Sequence, residues 1–155
     1  PETIQGVAVD GTYNSSLNVG AGAGDKFMPL VTIQDQKVVV VTLNASNTTL
    51  TFTAYESDLP AGLPYKHIAQ KQYMLKNVKA TKLADGSVQL TAQEEVTMAL
   101  RTVKPTEEKA NVPFNNHKVT VKAQGTIKNG KLNLKTSFRP TGMPMDVIYT
   151  FTGQK

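Results

Sequence analysis

Lys118-Val119-Thr120-Val121-Lys122-Ala123-Gln124-Gly125-Thr126-Ile127-Lys128 runs into Asn129-Gly130 and returns as Lys131-Leu132-Asn133-Leu134-Lys135-Thr136-Ser137-Phe138. The outgoing segment alternates strictly. Val119, Val121, Ala123 and Ile127 fall on one face, while Lys118, Thr120, Lys122, Gln124, Thr126 and Lys128 take the other. Successive side chains of a strand point to opposite sides, so this is a strand with one dry and one wet face. Asn-Gly is the strongest two-residue signal for a type I′ turn, because both turn positions need φ > 0. After the turn-like Arg139-Pro140-Thr141-Gly142-Met143-Pro144, a last strand from Met145 to Gly153 places Val147, Tyr149 and Phe151 on one side. Burial on one face only specifies an antiparallel sheet and argues against a parallel α/β sheet.

Working outward, Gly11 to Val19 reads as a first strand with Tyr13, Leu17 and Val19 in phase, and Gly20 to Gly24 as a flexible turn. Lys26 to Gln34 and Lys37 to Leu43 form an apolar stretch broken near Asp35-Gln36, whose β-branched Val38 to Val41 suits a covered strand. Asn44 to Asn47 is a tight polar turn into a strand over Thr48 to Tyr55, with Leu50, Phe52 and Ala54 alternating. Glu56 to Ala69, holding Pro60, Gly62 and Pro64, reads as irregular. Lys71 to Leu83 is a strand whose phase slips at Lys76-Asn77, as at a bulge. Asp85-Gly86 turns it into Val88 to Ala92, and Val96 to Val103 continues the same ribbon. Lys104 to Asn116, with Pro105 and Pro113, is an exposed loop.

No stretch sustains a helical period. Residues 1–9 are therefore expected to be a flexible lead-in and residues 10–155 a single all-β domain. Two all-β architectures fit, and the meander of adjacent hairpins favours an antiparallel up-and-down barrel of about eight strands over the alternative, a two-sheet sandwich.

A chain of 155 residues is long enough to bury a core without staples, and the absence of cysteine excludes disulfides, thiolate metal sites and cysteine nucleophiles. The longest apolar run, Val38 to Val41, falls far short of the ~20 residues of a membrane-spanning helix. The start at Pro1 suits a processed or trimmed form. The net charge of +5 comes from 15 Lys and two Arg against 12 acids. These lysines sit singly at outward strand positions, which keeps sheet surfaces and edges soluble. With two Arg and no Trp, a nucleic-acid partner is not expected.

Candidate chemistry is sparse. His67 and His117 are the only histidines, expected at the surface and without metal-ligand spacing. No serine lies in a Gly-x-Ser-x-Gly elbow, and Gly20 to Gly24 lacks the Gly-Lys-Ser/Thr of a phosphate loop. Glu94-Glu95 and Glu107-Glu108 are adjacent pairs, which a strand would point to opposite faces. A hydrolase or isomerase would need a cleft in which His67 or His117 approaches a carboxylate. The expectation is therefore no enzyme, no catalytic residue, no cofactor and no metal.

A ligand reading has more to work with. Eight strands close around an interior that side chains just fill or that holds one small molecule. Tyr13, Leu17, Phe52, Met74, Leu90, Met98, Leu100, Leu134, Tyr149 and Phe151 would line it, with Ala92, Ala99, Ala123 and Gly125 leaving space. Leu63, Tyr65 and Met143, on two Pro/Gly loops, are candidates for its mouth. The same interior residues would also make an ordinary packed core. An alternative function is a protein- or glycan-interaction module that binds through its outer faces.

The order of these segments resembles a known family. Gly11-Thr12-Tyr13 leading to Leu17 and Val19 is similar to the first strand of the calycin-like, or lipocalin-like, small β-barrel proteins of Bacteroidetes. Asn77-Val78 and Asp85-Gly86-Ser87-Val88, the Val119 to Gly125 strand with its Asn-Gly turn, Gly142 to Val147 and the closing Thr150 to Gly153 fit the same pattern. Tyr13 stands where true lipocalins carry the tryptophan of their first-strand Gly-x-Trp. The resemblance implies an eight-stranded barrel in a secreted, periplasmic or lipid-anchored envelope protein, possessing no established activity and contributing no catalytic residues.

Overall fold

The structure, a computed structural model, describes residues 3–4, 7–23, 26–43, 48–140 and 145–155, with side-chain environments at 9–22, 48–140 and 145–155. Short strands β1 (Thr3–Ile4) and β2 (Val7–Ala8) pair with each other, and Val9 behind them is fully buried in the core. The main sheet is built from β3 (Gly11–Ala23), β4 (Lys26–Leu43), β5 (Thr48–Phe52), β6 (Tyr55–Asp58), β7 (His67–Gln70), β8 (Tyr73–Lys82), β9 (Val88–Val103), β10 (Asn115–Lys128), β11 (Lys131–Phe138) and β12 (Asp146–Gln154). The only described helical piece is a 3-10 turn at Lys109–Asn111 in the loop before β10.

The sheet closes on itself. Eight strands follow one another as β3-β4-β5-β8-β9-β10-β11-β12, and β12 returns to pair with β3. The β9–β10 ladder from Val88↔Ile127 to Leu100↔Asn115 completes the ring, so the architecture is a barrel and not a sandwich. All these pairings are antiparallel. The β6–β7 hairpin is an insertion in this meander. It pairs with the far half of β9, from Gln70↔Leu100 to His67↔Val103, beyond the point where β8 has left that strand.

The terminal hairpin forms as its sequence directs. Asn129 has φ 53° and Gly130 φ 75°, and β11 pairs β10 from Lys128↔Lys131 to Lys122↔Ser137. Val119, Val121, Ala123, Ile127, Leu132, Leu134, Phe138, Val147, Tyr149 and Phe151 are all buried in one core cluster. The phase slip on β8 is equally real. Leu75 pairs with Leu50 and Val78 with Thr48, so one extra residue is accommodated between two inward positions. Across this irregularity the Glu94 carboxylate of β9 accepts the Lys76 N–H at 3.0 and 3.2 Å and the Asn77 N–H at 3.0 Å. A side chain thus replaces ladder bonds where β8 and β9 diverge.

Several boundaries differ from the sequence expectation. Gly20 to Ala23 continue β3 instead of turning, because β4 pairs along all of them and β12 pairs with Gly20 to Gly22 on the other side, which outweighs the poor strand preference of glycine. Gly24, the Asn44–Asn47 turn and residues 141–144, Met143 included, lie outside the described residues. The break expected near Asp35-Gln36 is a register shift inside one continuous β4, between Ser15↔Gln36 and Leu17↔Ile33. Strand β5 stops at Phe52, leaving Ala54 exposed. The stretch from Glu56 to Ala69, expected to be irregular, contributes the β6–β7 hairpin, with Gly62 at φ 92° in its connection.

Gly125 does not leave space in the interior. A Cβ there would collide with Asn133 O and the Leu134 backbone, so the missing side chain lets β11 approach β10 closely. Among the described residues no helix is long and apolar enough to cross a membrane, which says nothing of a β-barrel.

Candidate ligand-binding interior

Cross-strand partners share a face, so register identifies the inner lining. Tyr13, Leu17, Phe52, Leu90, Met98, Leu100, Leu134, Tyr149 and Phe151 are buried inside, as their phase predicts. Met74 is not. The slip in β8 turns Tyr73 and Leu75 inward, and Met74 is left 39% exposed on the other side. Of the mouth candidates, Leu63 and Tyr65 are half-buried on the β6–β7 connection.

The interior is dominated by rings. Tyr73 stacks on Phe52 at 4.8 Å, and Phe52 lies 5.4 Å from Phe151. Tyr149 meets Phe138 edge-on at 5.4 Å, Phe151 at 6.3 Å and Tyr55 at 5.2 Å. Such tilted contacts suit the ring quadrupole, so the cluster is an ordinary aromatic core in its apolar part.

Its polar part is not ordinary. Tyr55 from β6, Tyr73 from β8, Thr136 from β11 and Tyr149 from β12 are all buried, and none of their hydroxyl oxygens has a hydrogen-bond partner among the described residues. The groups sense one another. Burial pushes the Tyr55 and Tyr73 phenols well above their ordinary value, and the neighbouring Tyr149 raises both further. The Thr136 hydroxyl lowers Tyr73 as a weak hydrogen-bonding neighbour, and Tyr55 and Tyr149 stand in the same relation. The hydroxyls thus approach in pairs without closing a bond of ordinary geometry, and burial pushes the Tyr149 phenol up as well. Thr136 and Tyr149 are direct cross-strand partners, as are Tyr55 and Gln70, whose buried Oε1 is likewise unpaired. Most buried polar groups in folded proteins are hydrogen-bonded, and an unmade bond costs roughly 1–3 kcal/mol each. Five orphaned groups on one inner face therefore mark a polar patch inside an apolar barrel. Sequence reasoning found Tyr149 but missed Tyr55, Tyr73, Gln70 and Thr136, because the first three lie beside or within the stretch read as irregular or across the slip.

Tyr13 makes a contrast. Its hydroxyl donates to Val9 O at 2.7 Å, and burial, with the Asp10 charge behind it, pushes this phenol up to about 12.

A second cluster lies on the outside of the β6–β7–β9 region. His67 was expected at the surface but is only 4% exposed. Its Nδ1 is 2.8 Å from Asp58 Oδ1 and its Nε2 is 3.5 Å from Glu56 Oε2, while Arg101 Nη2 donates to Glu56 Oε2 at 3.0 Å. Phe114, in the loop before β10, is covered by Arg101 at 4.8 Å and by Lys71 at 4.9 Å. The hydrogen bond from His67 holds the Asp58 carboxyl below its ordinary value, with the positive charges of Lys109 and Lys66 adding to it. His67 therefore does meet carboxylates, with its own ring buried and their side chains exposed. His117 is half-buried opposite Met98 and takes no part in this cluster. Glu94 likewise serves the backbone of β8 instead of forming an acid/base couple with Glu95. No group of three His, Asp or Glu suited to a metal ion occurs among the described residues.

Described residues also form open depressions on the surface. One of about 580 Å³ is lined by Asn77, Thr91, Ala92, Gln93, Lys122, Ala123, Gln124, Lys135 and Ser137. A neighbouring one of about 470 Å³ shares Lys122 and Ser137 and adds Lys118, Thr120, Arg139 and Asp146. A third, of about 410 Å³, opens beside Gln72, Met74, Lys76, Glu94 and Thr97 where β8 and β9 separate.

A closed antiparallel ring with an aromatic inner face defines the class: a small single-layer β-barrel of calycin architecture. The family model for the calycin-like β-barrel domain matches residues 9–154, and the chain belongs to that family. A solved structure of a protein from Bacteroides fragilis NCTC 9343, provisionally described as an outer membrane protein, superposes with a TM-score of 0.69 at 23% identity. The match covers 95% of this chain and 51% of that one, so this chain spans about half the length of the Bacteroides protein. At that identity the likeness shows the shared fold. No curated protein matches the chain.

Proposed function

We propose that this chain is a non-enzymatic β-barrel protein of the cell envelope, secreted, periplasmic or lipid-anchored at the cell surface, that holds a small apolar or amphipathic molecule inside its barrel. The observation that carries this reading is the inner face, where Tyr55, Tyr73, Tyr149, Thr136 and Gln70 bury polar atoms without partners amid apolar rings. A core needs no such groups, and a bound molecule would satisfy them. The envelope location is supported by the outer-membrane description of the Bacteroides fragilis neighbour. The non-enzymatic reading is supported by His67, whose ring is buried and whose Nδ1 is tied to Asp58 at 2.8 Å. Native mass spectrometry of the gently purified protein, with thermal-shift screening of a lipid and metabolite panel, tests the reading. A co-purifying mass or a ligand-dependent rise in Tm supports it, and a bare chain indifferent to the whole panel overturns it.

A second reading, a glycan-interaction module, is favoured by the paired outer depressions. Lys118, Lys122 and Lys135 form no ion pair among the described residues there, and Thr91, Gln93, Gln124 and Ser137 offer hydrogen bonds of both senses. Binding of an acidic oligosaccharide that is lost in a Lys122→Gln/Lys135→Gln variant, with neutral analogues inert, would support it. Equal loss in a Lys128→Gln/Lys131→Gln control would reduce it to diffuse surface charge.

A further inference from the structure

We infer that the barrel interior selects a neutral molecule bearing a hydrogen-bond acceptor of the carbonyl type, an ester, amide, ketone or lactone, and that this acceptor end enters first, against the hydroxyls of Tyr55, Tyr73, Tyr149 and Thr136. The inference rests on the interior-binding reading and specifies what that interior recognises.

Convergence is the first argument. The four hydroxyls come from β6, β8, β11 and β12, four separate strands of the wall, yet interact with one another within one buried patch. Thr136 and Tyr149 lie directly opposite on neighbouring strands, and Tyr55 meets Tyr149 ring to ring. Groups so placed can direct several donors at one atom.

Protonation is the second. Phenols whose ionisation is suppressed remain O–H donors at any physiological pH, and a donor-rich patch calls for an acceptor. Gln70, across from Tyr55 on the same face, adds a carboxamide that donates through its N–H₂ and accepts at its unpaired Oε1.

Charge is the third. Among the described residues the influences acting on the three phenols are burial and one another, together with Thr136; no described lysine, arginine or histidine is among them. A carboxylate or phosphate in that patch would be a buried anion without a counter-ion, which is costly. A neutral carbonyl asks only for hydrogen bonds. The apolar remainder of the molecule would lie against Phe52, Phe138, Phe151 and Leu134, all buried in the same cluster.

The fully folded chain can be titrated with two matched probe sets, acetophenone, benzoate and ethylbenzene, and methyl decanoate, decanoate and undecane, using calorimetry and thermal shift. In at least one set the neutral carbonyl compound is expected to bind about tenfold more tightly than both its hydrocarbon and its anionic counterpart. Tyr149→Phe and Tyr55→Phe should each bring the carbonyl compound toward the affinity of the hydrocarbon while leaving hydrocarbon binding unchanged. These variants keep the ring and remove an oxygen that has no protein partner, so they are expected to fold. Tyr13→Phe, outside the patch, serves as the control and should leave the preference intact. Binding of hydrocarbon and carbonyl alike, insensitive to the tyrosine variants, would overturn the acceptor selectivity while the interior-binding reading stood. Preference for the anion would also overturn it. Binding of no probe, with the hydroxyls bridged by ordered water in a crystal structure, would overturn both.

Discussion

The β10–β11–β12 wall and the β6–β7 hairpin are both antiparallel, both border the same interior, and were built by different means. In β10 and β11 the wall is buried on one face and wet on the other, so its sequence alternates and each inward residue is visible. Strand β12 departs from this only at Ile148, which is buried on the outer side. The hairpin has no such pattern, because all four residues of β7, His67 to Gln70, are buried. Ile68 and Gln70 face inward beside Leu100, while His67 and Ala69 are covered on the other side by the Glu56–Arg101 network. A strand covered on both faces loses its alternation. It is also where the interior gains polar groups, through Tyr55 and Gln70. The regular wall encloses the interior, and the inserted hairpin adds buried polar groups to it.

Four perturbations bear on this contrast. The largest effect is expected in the wall. Gly125→Ala places a methyl where the β11 backbone passes, and should destabilise the protein by about 3 kcal/mol in urea denaturation. A wild-type midpoint would show that the two strands can separate there without loss. Removing the Glu94 carboxylate, Glu94→Ala, strands two backbone N–H groups at the β8 slip. A loss of about 1–2 kcal/mol is expected, with faster amide exchange at Lys76 and Asn77 than in the wall. If exchange rises equally in β10 and β11, the two regions unfold as one unit and the contrast is broken.

Tyr149→Phe should change the stability of the ligand-free protein by less than about 0.5 kcal/mol, or raise it, since its hydroxyl has no protein partner to lose. A loss of about 1 kcal/mol or more in that form would reveal a hydrogen bond the ligand reading does not require. The smallest effect concerns acid. The Asp58 carboxyl is held below its ordinary value chiefly by the His67 hydrogen bond. Its contribution is therefore present above the unfolded carboxylate range, about pH 4, and is lost as pH falls through the lowered folded value. Asp58→Asn should narrow the gap between neutral and acid stability, with the difference from wild type vanishing at low pH. The change should appear first in amide exchange of the β6–β7 hairpin. An unaltered pH profile would remove Asp58 from the network.

Alternation, turn chemistry and the order of segments sufficed to read the antiparallel class, the terminal hairpin and its Asn129-Gly130 turn, the β8 slip and nine of the ten residues assigned to the interior. Those features are local, because each follows from side-chain period or from a φ > 0 requirement within a few residues. Tertiary structure decided the rest. Closure rests on β9 meeting β10 over a long ladder, and the orientation of Met74 on how β8 resolves its slip. The surroundings of His67 on β7 depend on Glu56 and Asp58 arriving from β6 and Arg101 from β9. The unpaired hydroxyls gather only when β6, β8, β11 and β12 curl around one space. Periodicity records which face of a strand is dry. It does not record which dry faces meet, and that meeting sets the chemistry of the interior.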